Sequence, residues 1–349
     1  MDEKSPMLPQ PATSGCNCRD EYRKEKRRNW KRKVLVILFS LFFWFGFAAP
    51  ALKHSANFIQ SHFNSGCQNR SLIPWKGKSS FEINPHDFSG LYVAQNGSIT
   101  QGHVEIFRES NDEIAHVDVD ISMSDHHLQD QIEIVLNDNN GLYTVDIRTP
   151  RRLHDECIRV DITISLPKSH NFDNFKVSTV NSAITAEADI AVKDTIELHT
   201  VNGAIRLATV KAETLKLVTV NGATHVQLFE GKTSNITGTN GSVHAALDAQ
   251  VVDTIASNGA VQVDLLSHEV KANIKTVNGA IHVKTSGEFE GAFKLKSLSG
   301  RLEVTASESK KLHIEKASRR EVQGYYGDSN GNSQVNAETV NGKVVLQID

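Results

Sequence analysis

Asn-Gly, usually led by Thr-Val, recurs through the second half of the chain at a spacing near 20 residues. The copies are Thr179-Val180-Asn181-Ser182, Thr200-Val201-Asn202-Gly203, Thr219-Val220-Asn221-Gly222, Thr239-Asn240-Gly241, Ser257-Asn258-Gly259 and Thr276-Val277-Asn278-Gly279. Leu298-Ser299-Gly300 and Thr339-Val340-Asn341-Gly342 end the series. The steps are 21, 19, 19, 18, 20 and 21 residues, then 42, which reads as two repeats with one degenerate copy between. A fixed period of this length marks a repeat architecture, in which each unit buries its apolar side against its neighbours.

Within each unit the apolar residues alternate. Ile184, Ile205, Val243, Val261, Ile281 and Val344 lie three residues after the Asn. Leu207, Val226, Val263, Val283, Val304 and Leu346 lie five after it, with polar residues between the two columns. Such alternation predicts strands with one buried face. The buried phase slips across Asn-Gly, a pair that accepts the positive φ a tight corner needs. Asn-Gly is also a strong hairpin signal. A hairpin turn does not explain why Thr and Val recur in register before it, whereas stacked coils do. The expected fold is therefore all-β: a parallel β-solenoid (β-helix) of about 20-residue coils. In it Asn181, Asn202, Asn221, Asn240, Asn258, Asn278 and Asn341 form a turn ladder sharing side-chain hydrogen bonds.

Upstream, Val34–Leu52 is a run of about nineteen residues without charge, long enough to cross a bilayer as one helix. Arg19 to Lys33 before it carries nine Lys/Arg. The positive-inside rule then puts the N-terminus in the cytosol and the bulk of the chain in the lumen or outside the cell. A cleaved signal peptide with Ala49-Pro50-Ala51 at its end is the rival, but its basic leader would be unusually long. The expected order is a disordered basic tail at 1–33, the transmembrane helix at 34–52, and a stalk at 53–80. An irregular β region or cap at 81–174 and regular repeats at 175–349 complete it.

The sequons at Asn69, Asn96, Asn235 and Asn240 all follow the apolar run, as an external domain requires. Asn240 is also a ladder residue. Cys67 and Cys157 are candidates for a disulfide, or for two buried thiols, while Cys16 and Cys18 fall in the tail. Residues 1–33 hold ten basic and five acidic residues, which leaves 28 against 36 for the rest, a formal charge of −8. An external part this acidic argues against nucleic acid as a partner.

The strand ending at Leu166-Pro167-Lys168, then Phe175 to Asn181, then the tandem Asn-Gly units and the closing Gly324-Tyr325-Tyr326-Gly327, resemble the “putative adhesin” family of β-strand-repeat domains. That family is widespread in bacteria and also found as fungal membrane-anchored proteins. The resemblance spans roughly residues 80–349. It implies a β-helical fold related to autotransporter-adhesin heads, and it brings no catalytic residue.

For chemistry, the polar column four residues after each Asn holds Thr185, Arg206, His225, His244, Gln262, His282 and Glu303. His225 and His244 would be neighbours and are the one metal-ligand candidate in the column; a solvated face on which His is tolerated is the simpler reading. His126-His127 with Asp125 and Asp130 forms a second cluster, which needs a loop to converge. No phosphate loop, zinc-protease helix or nucleophile elbow occurs, and no cofactor is expected. The sequence thus points to a single-pass, non-enzymatic β-solenoid for adhesion, scaffolding or ligand binding. Its partners would be the membrane, through Val34–Leu52, and a protein or cell-wall glycan. The alternative is a glycan-acting β-helix enzyme of the polysaccharide lyase or hydrolase kind, which needs acidic and basic residues clustered on one face. Only Arg206 and Glu303 in the column meet that description, several coils apart.

Overall fold

The computed structural model describes residue 67 and residues 71–109, 113–168 and 171–349. The tail, the Val34–Leu52 segment, Asn69 and most of the expected stalk lie outside the described residues. Among the described residues, no helix is long and apolar enough to cross a membrane.

The described residues form an all-β fold of two facing sheets, with 14 and 13 strands. Each repeat gives one strand to each sheet, and we call such a pair of strands a rung. The Asn202 rung, for example, is Thr195–Thr200 in the second sheet and Ile205–Lys211 in the first. The strands flanking an Asn-Gly pair do not bond to each other. They bond in parallel to their equivalents one repeat away, Ile205 opposite Thr224 and Leu198 opposite Leu217. Asn-Gly is thus a corner between sheets and not a hairpin turn.

The inward columns form the core. Leu198, Leu217, Ile274 and Leu295 from the second sheet face Ile205, Val243, Val261 and Ile281 from the first, all at most 1% exposed. Burying one such side chain stabilises the fold by about 1.5–3 kcal/mol.

Three devices hold the corner. The Asn side chains form one continuous chain, each amide donating to the carboxamide oxygen of the preceding rung. Asn202 donates to Asn181 at 2.6 Å, Asn221 to Asn202 at 2.7 Å, and Asn240 to Asn221 at 2.8 Å. Asn258 and Asn278 continue it at 2.8 Å each, and Asn341 closes on Asn278 at 2.9 Å. The chain is anchored where Asn181 donates to the Ile99 carbonyl at 2.6 Å. The Thr hydroxyls point inward and satisfy carbonyls of the neighbouring corner: Thr200 reaches Ser182 at 2.8 Å and Thr219 reaches Gly203 at 3.1 Å.

The Gly has a different cause from the one expected. The corner glycines do not adopt positive φ. Instead, a Cβ on Gly222 would overlap the carbonyl oxygen of Gly203, and one on Gly241 that of Gly222. Backbones stack so closely at the corner that only a hydrogen fits.

The sheets are mixed, not purely parallel as expected, and the rungs do not stack in chain order. The Asn341 rung (Ser333–Asn341 and Val344–Ile348) lies between the Asn278 rung and the rung of Gly291–Ser297 and Leu302–Ala306. The 42-residue step therefore hides no degenerate copy. It holds an antiparallel ribbon, Leu312–Ser318 with Glu321–Tyr326, that extends the second sheet beyond Gly291–Ser297.

The other end repeats the plan. Gly90–Asn96 with Gln101–Glu109 forms a rung between the Asn181 rung and that of Leu142–Arg148 with Ile158–Pro167. Glu133–Asn139 and Ala115–Met123 then close the end with antiparallel pairs. The stretch 81–174 thus contains two rungs as well as capping strands. Part of the stretch read as stalk is tied down too. Ile73–Pro74 pairs with Ser122 and Met123, and the Trp75 indole donates to the Gln129 carbonyl at 3.2 Å.

Candidate functional site

The polar column emerges on the outer face of the first sheet. Arg206 lies opposite His225, His225 opposite His244, His244 opposite Gln262 and Gln262 opposite His282. The exposed rings of His225 and His244 meet edge-on with centroids 5.0 Å apart. They offer two ligands and no third: among the described residues no group of three or more His, Cys, Asp or Glu is arranged to hold a metal. Val345 of the inserted rung separates His282 from Glu303, putting Glu303 six rungs from Arg206. Lys343 bonds Glu303 at 2.7 Å and holds its carboxyl below the ordinary range.

The second cluster does converge. His126–Gln131 forms a short 3-10 helix capped by Asp125, whose carboxylate accepts from the His127 backbone N–H at 3.0 Å. That bond, helped by the His127 ring at 2.8 Å, keeps Asp125 below its usual carboxyl range. The other ring nitrogen of His127 is 3.5 Å from Glu156. Glu156 is lowered likewise, first by its own backbone N–H and then by that of His154, which donates at 2.7 Å.

Ser71, Ser124, Asp125, His127, Asp155 and Glu156 line an open hollow of about 430 Å³. Its floor is braced by Ser124, whose hydroxyl accepts from the Cys157 N–H at 2.9 Å, and by the Cys67–Cys157 disulfide with Cα atoms 5.9 Å apart. Chemically this is an imidazole clamped between two carboxylates. With both ring nitrogens facing carboxylates, His127 turns none towards a serine hydroxyl, so the geometry is not that of a nucleophile and its base. Asp130 is not among the lining residues. Sequence reading missed Glu156 and Ser124, which converge through long-range strand pairing; only the adjacency of Glu156 to Cys157 hinted at them.

A second hollow of about 370 Å³ lies beside Trp75, lined by Asp118, Asp120 and Asp161 among others. Of the sequons, Asn96 donates to Asp146 at 2.6 Å, Asn235 is half-buried on the outer face of the second sheet, and Asn240 is bonded on both sides within the ladder.

The profile of the family described as Toastrack DUF4097 matches residues 98–347. Similar solved structures include a “putative adhesin” from Bacteroides fragilis, at 12% identity and TM-score 0.41, covering 79% of this chain and 96% of that one. Another, from Parabacteroides merdae, has 14% identity and TM-score 0.42, covering 78% and 96%. A third, from Parabacteroides distasonis, has 13% identity and TM-score 0.44, covering 80% and 98%. No curated protein matches the chain.

Proposed function

The chain belongs to the Toastrack DUF4097 family, and from that premise we propose that it is a non-enzymatic adhesion or ligand-binding β-solenoid, anchored by Val34–Leu52 with its repeats outside the cytosol. The observation that carries this reading is how the polar side chains of the repeats are used. Asn amides and Thr hydroxyls are committed to the neighbouring rung, and what remains outward is a long, flat, mixed-charge face. A stack of rungs braced in this way presents a stiff surface of regular spacing, about 4.8 Å per rung, suited to holding a partner rather than moving atoms. Along the polar column the acidic and basic residues a glycan-cleaving groove would need do not cluster: Arg206 and Glu303 are six rungs apart, and Glu303 is engaged by Lys343.

The test presents the full-length chain in membranes to cell-wall glycans and to cell-surface proteins, following both retention and release of cleaved glycan. Retention without turnover supports the proposal. Glycan cleavage that disappears on mutating Arg206 or Glu303 would establish the enzyme instead.

A further inference from the structure

The two sheets end unevenly. At the end carrying the Gly291–Ser297 rung, the first sheet stops at Leu302–Ala306, which has a strand on one side only. The second sheet runs on by two strands, Glu321–Tyr326 and then Leu312–Ser318. That overhang is about 10 Å wide. Its inner face follows from register. Val322 lies across from Leu295, and Leu312, Ile314 and Ala317 lie across from Tyr326, Gly324 and Val322. Leu302, Val304, Leu312 and Val322 pack on the core yet stay only half-buried, and Ile314 is 45% exposed. The apolar layer therefore continues past the last strand of the first sheet, and among the described residues nothing covers it.

The edge itself has unpaired backbone groups among the described residues. The Arg301 carbonyl and the Ser307 N–H bond inward to Val344 and Ile348, so by the alternation along a strand the backbone groups of Leu302, Val304 and Ala306 point out. The three other sheet edges carry protection of the kind that blocks strand addition. The first sheet's other edge is split between Ile73–Pro74, which ends in proline, and Ser80–Ile83, four residues with Glu82, and Glu133–Asn139 carries Glu133 and Asp138. Leu312–Ser318 has a register shift and Lys316. Leu302–Ala306 carries one charge, Glu303, which Lys343 bonds at 2.7 Å, and it has neither proline nor a register shift.

We infer that this step accepts an extended segment of a partner protein, which pairs with Leu302–Ala306 as the missing strand and lays alternate apolar side chains over Ile314 and Val322. The charges at the step define the segment further. Exposed Lys310 stands at one end of the ribbon and exposed Arg319 and Arg320 at the other, none of them in an ion pair among the described residues, so the segment is acidic at its flanks. A second copy of this chain does not fit. Joined edge to edge, two copies would bring two overhanging ribbons into a gap one strand wide. The inference rests on the binding function proposed above and deepens it.

A fluorescent nine-residue probe, Asp-Glu-Val-Thr-Val-Ser-Val-Asp-Glu, titrated against the purified full-length chain, tests it. The controls are a probe with the same residues but its valines adjacent, and one with lysine flanks. Saturable binding of the first probe, with both controls weaker by about tenfold or more, is expected. Ile314→Asp, at an exposed position, and Ala306→Pro, which removes an outward N–H, should each weaken binding comparably while the thermal melt stays cooperative. No binding, equal binding of the controls, or binding indifferent to both variants overturns the inference. So does self-association in sedimentation that Ile314→Asp abolishes, which would make the occupant a second copy. If the probe fails while membranes bearing the chain still adhere, the inference alone falls; if adhesion is absent too, the proposed function falls with it.

Discussion

At the residue scale, one four-residue phrase carries three separate physical requirements. Asn must both donate and accept along the ladder, Thr must fill a buried site and satisfy a carbonyl, and Gly must let two backbones touch. The costs of breaking them should differ in kind. Asn221→Ala leaves the Asn202 oxygen and the Asn240 amide without partners, at about 1–3 kcal/mol. Thr219→Val keeps the shape and loses one bond, costing about 1 kcal/mol. Gly222→Ala should be the worst of the three, because the added carbon meets a carbonyl that the rung below holds rigidly. Urea denaturation of the three variants would check the order, and a Gly222→Ala protein as stable as the parent would contradict it.

His199 adds a pH dependence. It is half-buried beside the Ser178 hydroxyl at 3.4 Å, and burial pushes its pKa down. A folded imidazole that resists protonation binds fewer protons than the unfolded one. Its stabilising contribution is therefore present at neutral pH and is lost as pH falls through the unfolded value near 6.5 towards the lower folded one. The melting temperature should drop across that window, and His199→Gln should shrink the drop; an unchanged pH profile in that variant would count against it.

At the element scale, the ends of the stack are where sequence and structure part. The period, the inward columns and the corner at Asn-Gly were legible because each depends on local alternation that every copy repeats. The order of the rungs was not. Neighbouring rungs present nearly the same apolar columns, so nothing in Val335-Asn336-Ala337 says that it pairs with Ala272-Asn273-Ile274 sixty-three residues away as well as with the preceding unit. The glycine was recognised, but its reason was misread, because a clash between rungs is invisible until they are stacked. For the sites, the adjacency of His225 and His244 could be read from their common offset. The clamp on His127 could not, since it joins two loops through the pairing of Ala115–Met123 with Ile158–Pro167.

The inserted rung makes its own prediction. Removing residues 333–349 would leave the Asn278 rung and the Gly291–Ser297 rung with facing edges and no strand between them. The truncated chain should lose its sharp melt and be cut by protease within residues 286–332. A truncated chain that melts as the full one does would contradict the insertion.

For the whole molecule, the two ends are built alike, each with one rung supplied out of order and antiparallel strands beyond it. Both ends are thereby bound by contacts between residues far apart in sequence, which raises the barrier to fraying from a terminus. Between them lies the face that we propose makes contact outside the cytosol. Glycans should respect the ladder: sugar is attached through the Asn240 side-chain nitrogen, which donates to Asn221, so the mature protein is expected to carry glycan at Asn235 and none at Asn240, as peptide mass spectrometry would read.

The most direct test of the account is protease protection with endoglycosidase treatment of the full-length chain in sealed native membranes. The account predicts that residues 53–349 are protected and that their mobility shifts when glycan is removed. An unglycosylated C-terminal domain exposed to protease on the cytosolic side would contradict it.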